Sequence, residues 1–385
     1  MWYNSNVKAK IVFAGICVAL AAAQAEVMRP GVAHDVRKRV HVGVPSVAVS
    51  SVNGRLWATW YTSTTPGEDL NSYAILATSA DGGATWREAL IADPDGPGPE
   101  RPFDPQLWVA PDGRLRWTWT ERLCDPKKGD VNKRYGGDEG DPRTDRLTMA
   151  TLSAEDEPTL PVETRVVARG VMMGKPLVLK DGTWLFPSAH WNEAPSACLY
   201  ASTDGGRTFA LRGGATLPVA ARLYDEHEIV PRADGSLLCF IRGNWGKGHH
   251  PWETVSRDAG RTWSEPVKAR FANTSGRIFF RKLASGNCLL VKNGPFDADV
   301  GRTQIMAFLS RDDGETWSKG FLLDDRANVA YPDGDQFADG RIVVVYDRDR
   351  FGAREILFAT FTEADVLAGR DVSGKVRLRG IVSRH

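Results

Sequence analysis

Neither sign of charge dominates this sequence. Its 49 Lys and Arg residues stand against 48 Asp and Glu, for a net charge of +1. A nucleic-acid footprint needs a basic excess gathered on one face, so no nucleic-acid partner is expected. Cysteine is scarce, with five residues in 385. No two Cys or His residues have the spacing of a zinc site, and neither a metal nor an organic cofactor is expected. Long apolar runs are scarce too. The only one, Ile11 to Ala23, falls short of the ~20 residues that a membrane-spanning helix needs.

That run has its own explanation. Lys8 and Lys10 precede it, and Ala23-Gln24-Ala25 ends it with a small-x-small pattern. Basic, apolar and cleavable in that order is the signature of a signal peptide. The expectation is a signal peptide over 1–25 and one domain over 26–385, exported to the periplasm or beyond, monomeric and without a membrane span once the signal is removed. The competing reading of the run is a membrane anchor. Removing Cys17 leaves Cys124, Cys198, Cys239 and Cys288. The last three sit inside apolar strand-like runs, where buried free thiols are expected over disulfides.

Glycine, proline and tryptophan are plentiful instead, at 38, 22 and 13 residues. Many turns between aromatic-rich strands are implied. The pattern Ser-x-Asp-x-Gly-x-Thr-Trp/Phe occurs four times, beginning at Ser79, Ser202, Ser256 and Ser310. The last three copies are 54 residues apart, and the first gap of 123 holds two such periods and a loop. One copy has therefore lost its box, near Leu147–Pro161. In each box the Asp accepts hydrogen bonds within its own turn, the glycine permits positive φ, and the aromatic packs the turn onto a sheet. These aspartates are read as structural.

A period in the fifties fits a blade of four short strands. Six glycine turns each open an apolar run: GRLWATW, GRLRWTW, GTWLFP, GSLLCFI, GNCLLVK and GRIVVVY. They are read as inner strands. The fold class is all-β, a six-bladed β-propeller with four Asp-boxes. The glycine-rich loop Asp125 to Arg143 is read as an excursion on one rim.

The residues that could carry chemistry lie mostly in the second half. Glu226 and Glu228 precede the strand that ends in Arg242. Arg277 follows, then Arg302 eight residues before the last box, then Tyr331 in Ala-Tyr-Pro-Asp-Gly. This order resembles the sialidase superfamily, and GRLWATWY, FDPQLW, GKPLVL and YPDGDQ resemble a divergent sialidase-like branch of bacterial polysaccharide degraders. The resemblance implies exo-acting hydrolysis of a terminal, anionic sugar on a glycan. It makes Tyr331 the nucleophile, Glu228 (or Glu226) the base that takes its proton, and Arg242 and Arg302 two of three carboxylate-binding arginines. Gly43 stands where the first arginine is expected, and Pro332 where a serine follows the tyrosine. Arg277 or Arg281 could make good the missing arginine. Glu68 or Asp69, in the loop before the first box, is implied as acid/base, with Asp104 as another candidate.

The residue types suit that chemistry. An arginine fork binds a carboxylate through two parallel hydrogen bonds. A neutral tyrosine nucleophile avoids the repulsion that a carboxylate nucleophile would meet from an anionic sugar. A separate acid must protonate the leaving oxygen. Lys175, His190, Trp191 and Asp333 are further candidates for sugar contact. Two of them have a plain alternative: packing for Trp191, a turn for Asp333. Two rival functions stay open. One is a hydrolase or lyase for a uronic or neutral sugar, which Gly43 favours. The other is a carbohydrate-binding propeller without turnover.

Overall fold

Each blade begins with an inner strand that has a hydrogen-bonded neighbour on one side only. In the computed structural model, which describes residues 27–96, 98–125, 142–244 and 250–385, six antiparallel sheets follow one another along the chain. The expected signal peptide, most of the polar rim loop and His249 lie outside the described residues. The inner strands are His41–Val49, Glu100–Val109, Leu177–Val178, His227–Pro231, Phe279–Lys282 and Val329–Gln336. Each is followed by three antiparallel partners in chain order. Val27–Met28 adds a fifth strand outside the first sheet, beside Arg87–Ala92. Among the described residues no helix is long and apolar enough to cross a membrane.

The six apolar runs named above prove to be the second strands, not the inner ones. The glycine turn joins the inner strand to the second. The inner strands carry Pro, Asp, Glu and Arg and so escape an apolar pattern. The second strand of each blade is buried on both faces between neighbouring blades, as in Leu56–Ser63 and Ile342–Arg348. A strand buried on both faces reads as a continuous apolar run.

The core is divided like the fold. One apolar cluster fills the gap between each pair of adjacent blades. Trp57, Trp60, Trp117 and Trp119 are fully buried in or beside these layers. The boxes join third strands to fourth. In the first box Asp81 accepts from the Ser79 hydroxyl at 2.8 Å and from the Thr85 backbone N–H at 2.9 Å. Gly83 has φ +87°, and a Cβ there would lie 2.5 Å from the Phe358 ring of the preceding blade. Two links lack a box: the one between Arg146–Ser153 and Thr164–Arg169 falls where the lost copy was expected, and the one in the last blade holds the short helix Glu363–Ala368 instead. Because strands alternate in direction, every box lies at the end of the channel opposite the start of the inner strands. All four described cysteines are buried, and Cys198, Cys239 and Cys288 are free thiols.

Among the described residues no strand is exchanged between the first and last blades; the Val42 N–H donates to the Arg350 carbonyl across the seam at 3.0 Å, and side chains add to this bond. Asp347, Asp333 and Asp335 of the last blade accept from the backbone N–H groups of Val44, Val47 and Val49 in the first, at 3.0, 2.9 and 3.0 Å. At the axis each blade contributes one residue to a buried hub: Ser46, Gln106, Lys175, Glu228, Arg277 and Asp333. Lys175 Nζ lies 2.7 Å from one Asp333 oxygen, and Arg277 Nη2 lies 2.6 Å from the other. Arg277 also donates to Gln106 Oε1 at 2.9 Å, and Ser46 to Asp333 at 2.6 Å. Burial alone would raise the Asp333 carboxyl. The Lys175 and Arg277 charges outweigh it and hold it below its usual range.

Removing one member of such a set leaves a buried charge uncompensated. Asp333→Asn is therefore expected to lose about 3–5 kcal/mol of stability, read as a lower urea midpoint. An unchanged midpoint would mean that the hub is not what closes the ring.

Candidate active site

An inner strand advances about 3.3 Å per residue, so residues i and i+2 face the same side about 7 Å apart. Two residues before each hub residue lies one that forms a second ring nearer the funnel mouth. That floor ring is Val44, Asp104, Met173, Glu226, Ser275 and Tyr331. Three of its members precede proline, in Val44-Pro45-Ser46, Asp104-Pro105-Gln106 and Tyr331-Pro332-Asp333. Each of the three has positive φ, at 53°, 46° and 56°. In each case the pairing register to the second strand slips at this point. An edge strand with a bulge tolerates the proline, and the bulge re-aims the residue before it. Such strained non-glycine residues tend to collect at functional sites.

The walls come from the links between second and third strands, which open at the funnel end. Arg242 follows Leu237–Ile241, Arg302 precedes Thr303–Ser310, and Arg350 follows Ile342–Arg348. All three surround Tyr331. Arg242 Nη1 lies 3.3 Å from the Tyr331 hydroxyl, and Arg302 Nη2 lies 3.4 Å from it. The Arg350 guanidinium covers the ring face, 4.0 Å from its centroid. Arg242 is fixed by both Glu226 oxygens at 2.8 Å and by the Ser275 hydroxyl at 3.1 Å.

The glutamate beside Arg242 is thus Glu226. Glu228, one level deeper, takes the Lys175 backbone N–H at 3.2 Å and lies 3.7 Å from Arg277. Burial pushes its carboxyl up to about 8, with Arg277 opposing. Arg277, Lys175 and Asp333 also sit in the hub, away from the funnel floor. Both glutamates face the axis, and sequence spacing cannot say which depth meets the tyrosine.

Arg350 is the residue that sequence reasoning missed. A Cβ at Gly43 would lie 2.7 Å from Arg350 Nε and 2.9 Å from its Cζ. The guanidinium from the last blade occupies the space that a side chain at position 43 would need. It is held by Asp347 at 2.9 Å and by Glu68 at 3.3 Å. The signal was the glycine itself, but its partner lies some 300 residues away in the chain. Arg281, the other suggested substitute, lies on an inner strand beyond the hub, beside a cavity at the opposite mouth of the channel.

The remaining candidates divide clearly. Asp69 is buried and closes its own loop, accepting from Thr65 Oγ at 2.7 Å and from the Asn71 N–H at 2.9 Å. Glu68 lies beside Arg350, 3.5 Å from His41 Nε2 and 3.7 Å from Arg101. Burial opposes its ionisation, but His41, Arg350 and Arg101 outweigh it and hold the carboxyl far below its usual range. Asp104 is 7% exposed and accepts no hydrogen bond among the described residues. Burial pushes its carboxyl up to about 7, helped by Glu226 and Glu68 and opposed by Arg101 and Arg350. His190 is buried against Tyr200, at 3.2 Å. Trp191 stands beside it, half-buried, with the Arg122 guanidinium 4.7 Å from its ring and Tyr224 edge-on at 5.1 Å. Among the described residues no group of three or more His, Cys, Asp or Glu could hold a metal ion.

The six-bladed propeller thus carries its boxes at one mouth of the channel and the arginine-ringed tyrosine at the other. The chain belongs to the BNR repeat-like domain family, whose profile matches residues 130–344. No curated protein matches the sequence. Solved structures match the fold at low identity. A Dyadobacter fermentans protein described as of unknown function is 18% identical with a TM-score of 0.63, over 88% of this chain and 97% of its own. A Hadza microbial sialidase is 18% identical with a TM-score of 0.63, over 87% and 68%. A leech intramolecular trans-sialidase is 14% identical with a TM-score of 0.65, over 91% and 71%. Fold and family together support a glycoside hydrolase-like or carbohydrate-binding function.

Gly43→Ala must push the Arg350 guanidinium from its place. Overpacking of this kind costs about 1–3 kcal/mol. The melting temperature is expected to fall, and the same change made in a chain that already carries Arg350→Ala should cost little further stability. Additive losses in the double variant would show that the two residues do not compete for one space.

Proposed function

We propose that this protein is an exo-acting glycoside hydrolase that removes a terminal, anionic sugar, as a sialidase does. One observation carries the reading: the Tyr331 hydroxyl lies between Arg242 and Arg302 at 3.3 and 3.4 Å, with Arg350 over the ring. Guanidinium groups around a neutral nucleophile suit a sugar whose anomeric carbon carries a carboxylate. Tyr331 attacks that carbon. Glu226, which shares Arg242 Nη1 with the hydroxyl, takes the proton. Arg302, Arg242 and Arg350 hold the carboxylate, Arg350 serving in place of a side chain at Gly43. Trp191 and Tyr224 offer aromatic surface to the rest of the glycan. The likeness in fold to a microbial sialidase and a leech trans-sialidase is in keeping with this reading.

A second reading has one observation in its favour. Arg350 is already paired with Asp347 and Glu68, so less of its charge is left for a substrate. This suits a uronic acid, whose carboxylate sits away from the anomeric carbon. Such a substrate could be cleaved by hydrolysis or by elimination, and elimination would give an unsaturated product that absorbs in the ultraviolet.

The test is release of 4-methylumbelliferone from its α-sialoside. Wild type should release it, and Tyr331→Phe should lose at least a thousandfold in kcat. Arg302→Ala should cost about 10–100-fold in kcat/KM, as loss of a charge-assisted hydrogen bond does. Release that persists in Tyr331→Phe would remove the tyrosine from the mechanism. No release by wild type would transfer the assay to uronides.

A further inference from the structure

Breaking a glycosidic bond needs a proton donor for the leaving oxygen, and the two acids in the loop of the first blade are committed elsewhere. Asp69 is buried and spends both oxygens on its own turn. Glu68 is held as an anion by Arg350 and Arg101, with His41 beside it. An anion so held has no proton to give.

We propose that Asp104, on the inner strand of the second blade, is the general acid/base of the reaction. It rests on the function proposed above. Asp104 belongs to the floor ring, on the opposite side of Val44 from Tyr331. Its backbone is held at φ 46° between Phe103 and Pro105, in a bulge of the same form as the one that presents Tyr331. More than nine-tenths of it is buried, and no described residue donates a hydrogen bond to it. An aspartate placed so lacks the donors that would keep it ionised. The groups around it are Glu226 of the fourth blade, Glu68 and Tyr61 of the first, Arg101 on its own strand and Arg350 of the last. Burial and the two glutamates keep the proton on. The arginines stop it from being held too tightly, so that it can be given up near neutral pH.

The steps balance. As Tyr331 Oη bonds to the anomeric carbon, the bond from that carbon to the leaving oxygen breaks. Its electron pair stays on the leaving oxygen, which takes the Asp104 proton, while the tyrosine proton passes to Glu226. Water then enters. Asp104, now a carboxylate, takes one of its protons, and the water oxygen bonds to the anomeric carbon. The bond to Tyr331 breaks, and its oxygen regains the proton from Glu226. The net change is one water consumed and two hydroxyl compounds formed.

An acid that protonates the leaving group matters most when that group is a poor one. The experiment compares kcat/KM of wild type and Asp104→Asn on two α-sialosides, the 4-methylumbelliferyl glycoside and 3′-sialyllactose. Asparagine is among the residues that accept positive φ, so the fold should survive, and a thermal melt checks it. Asp104→Asn should lose 100–1,000-fold on sialyllactose but less than tenfold on the aryl glycoside. The wild-type kcat/KM on sialyllactose should fall as pH rises through about 7, and that limb should vanish in the variant. Asp104→Ala, a second variant, should regain turnover of the aryl glycoside with added azide as the nucleophile. Glu68→Gln should show no such dependence on the leaving group. Equal losses on both substrates, or an unchanged alkaline limb, would overturn the assignment of Asp104 and leave the sialidase reading standing. If wild type cleaves neither glycoside, the proposed function fails and this role fails with it.

Discussion

A carboxylate with two cations bound to it, sealed from water, cannot move without leaving charge unbalanced in a place that does not solvate it. Asp333 is such a group. It meets Lys175 of the third blade, Arg277 of the fifth and the backbone of the first. One side chain of the last blade therefore ties three others across the axis. Among the described residues no exchanged strand closes the ring, and the carboxylates of Asp333, Asp335 and Asp347 bind across the seam beside one backbone bond and an apolar cluster. Because the floor residues lie only two positions before the hub residues, fixing the hub also fixes the depth of the floor. Tyr331 and Asp333 are set by the same bulge, and so are Asp104 and Gln106.

Electrostatics above the hub follow from that placement. The floor gathers Arg101, Arg242, Arg302 and Arg350 within reach of one tyrosine and three acids. The acids are not equivalent. Glu226 is clamped by Arg242 through both oxygens, Glu68 is caged by cations, and Asp104 has burial without donors. Three carboxyl groups on neighbouring elements are thereby given three different sets of partners. Such divergence is how one site runs acid and base chemistry at one pH.

Much of this was legible in the sequence. The boxes and the six glycine turns gave the number of blades, because turn chemistry is local and repeats. The arginines at 242 and 302 and the tyrosine at 331 were legible from their order relative to the boxes. Depth along the axis was not. Glu226 and Glu228 have the same parity, and only the ring of partners from other blades separates them. Lys175, Arg277 and Asp333, the other candidates for sugar contact on these strands, lie in the hub, one level deeper than Tyr331. The second strands were mistaken for the inner ones, because a strand that faces a polar axis hides its apolar pattern. Arg350 was missed because its evidence was an absence at Gly43, and contacts across the seam join residues 303 positions apart, as between Val44 and Asp347.

The most direct measurement is to trap the reacting residue. The protein would be incubated with a 2,3-difluorosialic acid, whose sugar is transferred readily but released slowly, and its peptides weighed by mass spectrometry. The expected result is a sugar adduct on the peptide that contains Tyr331, and none in Tyr331→Phe. An adduct on a carboxylate instead, or consumption of the probe with no adduct, would contradict a tyrosine nucleophile set among the arginines of the floor.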